Sequence, residues 1–494
     1  MFYIGIDLGT SALKMLLVDE KGEIIRTASE EYPLFFPHNG WSEQNPEDWY
    51  SAAEKCLSQV LKGIDASLVK GIGIGGQMHG LVVLDKNDNV IRPAILWNDG
   101  RTDKQVEYLN NVIGKDKLSQ YTANIAFAGF TAPKIIWMKE NEPEKFEKIE
   151  KIMLPKDYLV YRLTGEHTCD YSDASGMLLL DVKNKCWSEE MLEICGISKN
   201  QLPDLYESYD IVGKVKKEFA DRFGLSDVSV AAGAGDNAAA AVGTGTVGEG
   251  KCNISLGTSG TIFISSERFG DDRNNALHSF AHADGNFHLM GCMLSAASCN
   301  KWFMDDILND EDYQGIQSRI SDEKLGRNNI YFLPYLMGER SPINDVDARG
   351  TFIGLTMNSK REDMLQAVFE GVAFAIRDSF EKAKELGIKI EASNICGGGA
   401  KSALWQKIMA NVLGIRLDTV KTEQGPGYGA AILAMVGCGA YGSVSEACAE
   451  LVEISSSVYP DAELSSMYDE KYKNFSKVYP ALKNVFKEIK EEIK

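Results

Sequence analysis

The chain begins with two apolar, strand-like runs that enclose a tight polar turn. Residues 2–6 and 13–18 are the runs, and residues 7–11, with the sequence DLGTS, form the turn. The same order returns halfway along, where apolar positions over residues 252–264 enclose the sequence SLGTSG at 255–260. Short apolar runs separated by a glycine-containing turn predict a β-hairpin. The repetition therefore predicts two related halves.

The rest of the first half mixes helix and strand patterns. A helix is predicted from about residue 46 to residue 62, with Asn45 as its cap and apolar residues at helical spacing. Apolar runs at 69–74 and 81–84 predict strands. Such mixing is typical of α/β layers rather than of an all-helical or all-strand chain.

A glycine-rich segment separates the two halves. The apolar run 228–232 leads through a glycine turn into a predicted small-residue helix at 238–242, and residues 243–248 are the best candidate for a joint. The full 494 residues are too many for one ordinary core. We predict an N-terminal lobe of residues 1–245 and a C-terminal lobe of residues 246–494.

The amino-acid composition and net charge limit the kinds of partner that the protein can bind. The chain is 44% hydrophobic and 25% charged, and 52 basic against 71 acidic residues give a net charge of −19. This charge argues against binding to nucleic acid or an anionic membrane. The ten cysteines form no Cys-x-x-Cys pair, and no apolar run approaches about 18 residues. With no basic leader before the first strand, we expect a cytoplasmic protein with reduced thiols.

The repeated Gly-Thr-Ser turns are candidate phosphate-binding sites. Backbone N–H groups and hydroxyls in a tight turn form a concavity that suits an anion. One copy would favour ordinary hairpin chemistry, but two copies in matching contexts favour phosphate. Asp7 precedes the first turn and is a candidate ligand of Mg²⁺, directly or through water. Lys14 is within reach of the same turn, although an ordinary surface lysine is nearly as good an interpretation.

A third glycine-rich segment follows the strand pattern at 393–396. Residues 397–399 are three glycines, and a helix is predicted from about residue 402 to residue 413. Bare backbone at a strand-to-helix junction lets a flat ligand lie against it, with Ser402 facing the ligand. A simple tight turn is the alternative. The chain contains no P-loop sequence.

Asp236 is the most informative single acid. It ends an apolar strand among glycines and alanines, where charged groups are uncommon without a function. A carboxylate in such a place can accept a proton from a substrate hydroxyl that attacks phosphorus. The alternative is that Asp236 caps the helix at 238–242.

Two segments predict the wall of a small polar pocket. Met78 and His79 lie in a glycine-framed loop after the strand at 69–74. Trp97, Asn98 and the acid and guanidinium that follow combine the side-chain types that bind polyhydroxyl compounds.

These motifs resemble those of the FGGY family of carbohydrate kinases over essentially the whole chain. Residues 129–141 fit the first signature of the family, and residues 350–355, continuing through 363–370, fit the second. Further matches occur at 76–80, 97–101, 235–237, 255–260, 333–335 and 338–340. So many motifs in the same order make the resemblance specific.

The resemblance implies the two-lobed actin-like ATPase fold, with two ribonuclease-H-like domains and ATP in the cleft between them. It implies transfer of the γ-phosphoryl group of MgATP to the terminal hydroxyl of D-xylulose. Asp236 is then the catalytic base and Asp7 the acid associated with Mg²⁺. The implied sugar-binding set is Gln77, Met78, His79, Trp97, Asn98, Asp99, Arg101, Asp236 and Asn237. The implied ATP-binding set is Gly9, Thr10, Ser11, Lys14, Gly257, Thr258, Gly398, Gly399 and Ser402.

Two alternative functions stay open. The acceptor could be another ketose or polyol, such as ribulose or erythritol, because only the sugar-pocket motifs separate these substrates. The fold could also serve a non-catalytic ATP-binding switch, but Asp236 and the loop at 78–79 argue against that hypothesis, since neither is needed merely to hold nucleotide. The resemblance allows a homodimer, which nothing in the residues themselves indicates.

Overall fold

The computed structural model describes residues 1–422 and 424–492. Glu423 and residues 493 and 494, which belong to the predicted C-terminal lobe, lie outside the described residues. None of the described helices is both long enough and apolar enough to cross a membrane.

Strands and helices are interspersed along the whole chain. In chain order the strands are β1 Phe2–Leu8, β2 Ala12–Asp19, β3 Ile24–Glu31, β4 Glu43–Gln44, β5 Val69–Gly76, β6 Val82–Leu84, β7 Ala94–Ile95, β8 Lys151–Met153, β9 Thr168–Asp170, β10 Leu180–Asp181, β11 Cys186–Trp187, β12 Asp204–Tyr206, β13 Ile211–Lys214, β14 Ser229–Ala231, β15 Ala234–Gly235, β16 Lys251–Leu256, β17 Gly260–Ser266, β18 His278–Ala281, β19 Phe287–Met293, β20 Tyr331–Leu333, β21 Thr351–Ile353, β22 Ala392–Cys396, β23 Arg416–Val420 and β24 Ile454–Val458. The α-helices are α1 Pro46–Val60, α2 Asp103–Glu107, α3 Lys115–Thr122, α4 Thr131–Asn141, α5 Pro143–Phe146, α6 Pro155–Thr164, α7 Tyr171–Ala174, α8 Glu189–Cys195, α9 Lys217–Phe223, α10 Asp236–Gly243, α11 Ala297–Trp302, α12 Tyr313–Gln317, α13 Arg361–Glu385, α14 Ala403–Leu413, α15 Gly425–Gly437, α16 Val444–Leu451 and α17 Ala462–Glu492.

Two seven-stranded sheets share the arrangement of their central strands. The first has the order β13-β14-β5-β1-β2-β3, with β15 also paired to β5, and the second has the order β18-β19-β17-β16-β22-β23-β24. In the first sheet β1, β2 and β3 are antiparallel, and β5 lies parallel to β1 on its other side. In the second sheet β16, β17 and β19 repeat the antiparallel unit, and β22 takes the place of β5. The duplicated α/β fold expected from the two hairpins is therefore confirmed.

The local predictions near the site agree with the observed elements. Helix α1 begins at Pro46, and the Asn45 side chain accepts a hydrogen bond from the amide of Glu47 at 3.3 Å. The helix ends at Val60, two residues before the predicted end, and its apolar face is buried against the first sheet. The glycine-rich joint bends through Gly245 and Gly248, whose φ angles of 71° and 79° favour glycine.

Helix α15 is the main exception to a simple division of the chain. It belongs to the predicted C-terminal lobe, but it packs on strands β1 and β5 of the first sheet and on helix α10. The fit depends on glycine, because a Cβ atom at Gly73 would overlap the carbonyl oxygen of Ala430. The boundary between residues 245 and 246 stays a prediction, and the packing of the first sheet includes a helix from beyond it.

Candidate active site

Three parallel strands of the first sheet end at one edge. Asp7 of β1 is paired with Gly75 of β5, and Gly76 of β5 is paired with Gly235 of β15. Carboxyl ends of parallel strands meet at the same edge of a sheet, where α/β proteins place ligand sites. The turn 9–11, the loop that begins at Gln77, and Asp236 therefore lie side by side.

The first Gly-Thr-Ser turn is held rigidly against this edge. The Gly9 amide donates to the Ala12 carbonyl oxygen at 3.1 Å and closes the hairpin. The Thr10 hydroxyl donates to Gln77 Oε1 at 3.1 Å and accepts a hydrogen bond from Trp97 Nε1 at 2.9 Å. Thr10 thus connects the predicted phosphate turn to two residues of the predicted sugar-binding set.

Asp7 and Lys14 lie opposite each other in the hairpin. They are paired in the register of β1 and β2. Lys14 therefore lies near the first turn, as the sequence predicts. Burial raises the pKa of Asp7 to about 6, and the nearby Lys14 ammonium partly opposes that increase. The carboxyl group of Asp7 and the ammonium group of Lys14 therefore both lie next to the turn at residues 9–11.

Asp236 is the first residue of α10, and Gly235 occupies the cap position before it. The helix therefore does not use Asp236 as the cap that the alternative interpretation assigned to it. Its Oδ1 accepts hydrogen bonds from the amide and the side-chain Nδ2 of Asn237, at 2.7 and 3.1 Å. Burial raises the pKa of Asp236 to about 7, and the carboxylate of Asp7 contributes further. A carboxyl group with this pKa is suited to accept a proton near neutral pH.

Met78 and His79 form a wall beside Asp236. The Met78 sulfur lies 3.8 Å from Asn237 Nδ2, and the Met78 side chain packs against Gly235. The Nδ1 atom of His79 is 2.7 Å from the carbonyl oxygen of Gly176. A carbonyl only accepts, so Nδ1 carries the proton and Nε2 is the acceptor of the ring. Burial and the Lys134 ammonium lower the pKa of His79 to about 3, which keeps the imidazole neutral.

The four predicted sugar-binding residues within the segment 97–101 divide into an exposed pair and a pair with buried side chains. Trp97 is 47% exposed and Asn98 is exposed. Asp99 is buried, and its carboxylate accepts bonds from the Ser42 amide at 2.6 Å and from Arg101 Nε at 2.8 Å. The Arg101 side chain is buried as well, with its guanidinium 3.7 Å from the ring centroid of Trp41. The geometry directs Asp99 and Arg101 toward each other, so their direct contact with sugar stays a prediction.

The second Gly-Thr-Ser turn has the same relation to the second sheet. The Thr258 carbonyl oxygen accepts hydrogen bonds from the amide of Ala296 at 3.0 Å and the hydroxyl of Ser298 at 2.7 Å, and the Gly257 carbonyl oxygen accepts from the amide of Ala297 at 2.8 Å. These bonds hold the turn against the start of α11. Thr258 itself is exposed.

The glycine run borders a cavity beside this turn. β22 lies parallel to β16, with Cys396 paired to Ser255, so both strands end at the same edge. The cavity of about 680 Å³ is lined by Gly398, Gly399, Ser402, Tyr313, Gln317 and neighbouring residues. Ser402 caps α14 by accepting from the Trp405 amide at 3.2 Å, and its hydroxyl donates to Gln317 Oε1 at 2.7 Å. The predicted residues therefore line a concave space large enough for a nucleoside.

Two residues at the first edge carry no sequence signal that could have found them. Gln44 is buried, donates to the Thr10 carbonyl oxygen at 2.6 Å and accepts from Gln77 Nε2 at 3.0 Å. The Tyr32 hydroxyl donates to the Gly9 carbonyl oxygen. Both come from segments without a motif, and only the folded chain brings them beneath the turn.

Comparison of the chain with known protein families identifies the family to which it belongs. The profile of the FGGY family of carbohydrate kinases, N-terminal domain, matches residues 2–243, and that of the C-terminal domain matches residues 252–438. The chain belongs to the FGGY family of carbohydrate kinases. The N-terminal match contains the residues gathered at the first edge, and the C-terminal match contains the second turn and the glycine run. As an FGGY kinase the protein is a phosphotransferase whose substrates are ATP and a sugar.

Curated FGGY relatives match over nearly their whole length. The xylulose kinase of Escherichia coli (strain K12) is 40% identical over 482 residues, covering 97% of this chain and 99% of its own. The xylulose kinase of Bacillus subtilis (strain 168) is 37% identical over 488 residues, covering 98% of each chain.

Solved structures confirm the fold. A xyloylose kinase from Brucella ovis matches with a TM-score of 0.93 at 38% identity, over 98% of this chain and 100% of its own. A gluconate kinase from Lactobacillus acidophilus matches with a TM-score of 0.92 at 26% identity, over 99% of each chain. The two-lobed actin-like ATPase fold expected from the sequence is consistent with these matches.

Proposed function

We propose that this protein transfers the γ-phosphoryl group of ATP to the terminal hydroxyl of D-xylulose and so forms D-xylulose 5-phosphate. The fold by itself does not select the sugar, because a gluconate kinase shares it at 26% identity. Identity of 40% and 37% to two xylulose kinases, over almost the complete chain, supports D-xylulose. The substrate test below also measures other ketoses and polyols as acceptors.

The placement of Asp236 carries the proposal. Its carboxyl group lies where α10 begins, next to Met78 and Asn237 on one side and close enough to Asp7 for the two charges to interact. Asp236 accepts the proton of the sugar hydroxyl as that oxygen attacks the γ-phosphorus, while the bond from phosphorus to the β,γ-bridging oxygen of ATP breaks. The transferred proton then resides on Asp236 Oδ until the product leaves.

The sugar lies against the wall formed by Met78 and His79. The neutral His79 ring offers Nε2 as an acceptor to a sugar hydroxyl, and Asn237 offers an amide next to the base. Trp97 and Asn98 are exposed and available to the sugar. Gln77, Asp99 and Arg101 complete the proposed sugar-binding set, and polar atoms of each are also held by hydrogen bonds to other protein groups.

ATP occupies the space between the two sheet edges. Gly9, Thr10, Ser11 and Lys14 bind its phosphates from one side, and Gly257 and Thr258 bind them from the other. The backbone of Gly398 and Gly399, together with Ser402, lines the cavity for the adenosine. Two preorganised turns neutralise charge on the group in transfer without reorganisation of water.

The residues at the first edge fit Mg²⁺. Within the described ranges, His, Cys, Asp and Glu side chains nowhere form a group of three that could hold a metal ion alone. Mg²⁺ usually binds to one or two carboxylates together with substrate phosphates, so a complete protein cage is not required. Asp7 would hold the ion, directly or through water, and the ion would supply charge neutralisation at the phosphates. The hard carboxylate oxygens of Asp7 suit that cation.

A panel of sugars tests the substrate. ADP formation is measured by a coupled assay with D-xylulose, ribulose, erythritol and gluconate at matched concentrations. We expect the highest kcat/KM with D-xylulose. A tenfold preference for ribulose, equivalent to about 1.4 kcal/mol of transition-state stabilisation, would replace the proposed sugar.

Substitution of the base separates a kinase from a nucleotide switch. Asp236→Asn should lower kcat by about 10²–10⁴-fold, because general-base catalysis contributes that range, while the Kd for ATP changes little. Asp204→Asn, at an exposed aspartate of β12, is the matched control and should retain full turnover. Full turnover by Asp236→Asn would remove Asp236 as the base.

A further inference from the structure

Lys134 is a buried lysine that lies directly beneath the sugar-binding loop. It belongs to α4 and is 0% exposed. Its Nζ donates to the carbonyl oxygen of His79 at 2.8 Å and to that of Gly129 at 2.7 Å. Among the described residues, no carboxylate lies within ion-pair distance of Nζ, and the neighbouring Asp99 is engaged by Arg101.

Such a lysine is costly to the fold. Removing an ammonium from water without a carboxylate partner is unfavourable, and here only carbonyl dipoles replace the lost water. Burial lowers the pKa of Lys134 to about 7, against the attraction of Asp99. A methionine would fill a similar volume without this cost. The donor at Nζ, rather than the volume of the side chain, therefore needs an explanation.

The group that Lys134 holds is a strained one. His79 has a φ of 68°, in the left-handed region that a residue with a side chain rarely adopts. Its carbonyl oxygen accepts a second hydrogen bond, from the Thr131 hydroxyl at 3.0 Å. The ring is anchored separately, by Nδ1 at the Gly176 carbonyl oxygen. Two donors from α4 hold the backbone of the residue whose ring faces the sugar.

We propose that Lys134 is a positioning residue for sugar binding, which fixes the backbone of His79 so that the imidazole Nε2 meets a sugar hydroxyl. The inference rests on the proposed role of His79 as a sugar contact. Lys134 does not touch the sugar, because it is completely buried behind the loop. We therefore expect its effect to act on sugar binding through His79 and to leave ATP binding unchanged.

The main test replaces the donor and keeps the bulk. Lys134→Met should raise the Kd and KM for D-xylulose by about tenfold or more, as expected when a hydrogen bond from a charged group is lost. The KM for ATP should stay unchanged. Lys139→Met, at an exposed lysine on the same helix, is the matched control and should change neither constant. An equal change in the constants for sugar and ATP would overturn the proposal.

A double-mutant cycle tests the route through His79. In a His79→Ala background, Lys134→Met should have no further effect on the Kd for D-xylulose, measured by calorimetry, because its point of action is already lost. Additive effects of the two substitutions would show that Lys134 stabilises the fold in another way and would overturn the proposal.

Thr131→Val provides a second, milder variant should Lys134→Met not fold. It removes the other donor to the His79 carbonyl oxygen and should weaken sugar binding alone. Unchanged sugar affinity in Thr131→Val, together with an unfolded Lys134→Met, would count against positioning. Wild-type protein that fails to phosphorylate D-xylulose would refute the proposed function instead, whereas active wild type with unaffected variants refutes only the role of Lys134.

Discussion

At the scale of single residues, the site depends on carboxyl groups that the fold encloses. Asp7 lies near the end of β1 and Asp236 directly follows β15, and both strands pair with β5. The fold places Lys14 near Asp7 only. Enclosure disfavours the charged form of each acid, and the charge of Asp7 further disfavours ionisation of Asp236. The result is a base whose pKa lies near neutrality rather than near 4.

This electrostatic arrangement predicts the pH dependence of the reaction. Asp236 acts as a carboxylate, and its pKa is raised to about 7, so the active form is lost as the pH falls through that value. We expect kcat/KM to decrease by about tenfold for each pH unit below the pKa. The rate is measured from pH 5.5 to 8.5 with both substrates far below their KM, so that the profile reports the free protein.

As a control, the activity of the coupling enzymes of the ADP assay is measured at every pH. It must exceed the rate of the kinase throughout. A kcat/KM that stays constant from pH 8 down to pH 5.5 would contradict the raised pKa of the base, because an ordinary aspartate titrates at about 3.9.

At the scale of elements, close packing of α15 joins the two halves of the chain. The helix lies against α10 and against the strands that carry Asp7 and the loop at Gln77. Glycines make the approach possible: a Cβ at Gly429 would overlap the carbonyl oxygen of Ala239, and one at Gly243 would overlap that of Gly425. The backbone that positions Asp236 is thus supported by a helix almost 200 residues later in the chain.

This contact predicts an unusual response to alanine. Gly→Ala inside a helix ordinarily stabilises it by about 0.5–1 kcal/mol. At Gly429 the overlap with Ala239 should reverse the sign and lower the free energy of unfolding by about 1–3 kcal/mol, as in overpacked cores. Gly425→Ala in the same helix is the control. A Cβ atom at Gly425 would have the Cα of Ala240 as its nearest neighbour, at 3.6 Å, which is an ordinary van der Waals distance.

The measurement is chemical or thermal unfolding of the wild type and both variants under the same conditions. A Gly429→Ala protein as stable as Gly425→Ala would show that α10 and α15 separate at little cost, and the supporting role of α15 would be withdrawn.

At the scale of the whole molecule, the two phosphate turns belong to different sheets. The turn at 9–11 follows β1, and the turn at 257–259 follows β16. ATP bound by both turns would connect the lobes, and the glycine-rich segment at 243–248 is the predicted joint between them. Closure around a bound sugar would exclude water, which otherwise competes as the acceptor of the phosphoryl group.

If the lobes close only around a bound sugar, breakdown of ATP to ADP should depend on the presence of that sugar. Without D-xylulose, ADP formation from ATP should be at least about tenfold slower than with it, since excluding water prevents hydrolysis. The two rates are measured with the same protein and the same ATP concentration. An unchanged rate of ADP formation on omission of the sugar would contradict sugar-dependent closure.

Much of the site was predictable because its parts are local in the chain. Each hairpin, each glycine turn and the short helix that begins at Asp236 depends on residues within about ten positions, so the pattern alone predicts them. The helix start at Asp236 was misplaced by two residues in the pattern, because alanines and glycines do not mark a boundary sharply. The buried pairing of Asp99 with Arg101 was not predictable, since it depends on Ser42 and Trp41 from another segment.

The sequence by itself determined the duplicated α/β halves, the two glycine turns and the identity of the acids that border them, because these follow from short-range alternation and turn chemistry. Only the tertiary structure decided that α15 supports the first sheet, that Gln44 lies beneath the first turn, and that Lys134 holds the strained His79. Those contacts join residues that are far apart in the chain. They arise from how whole elements pack, and no local pattern of residues encodes that packing.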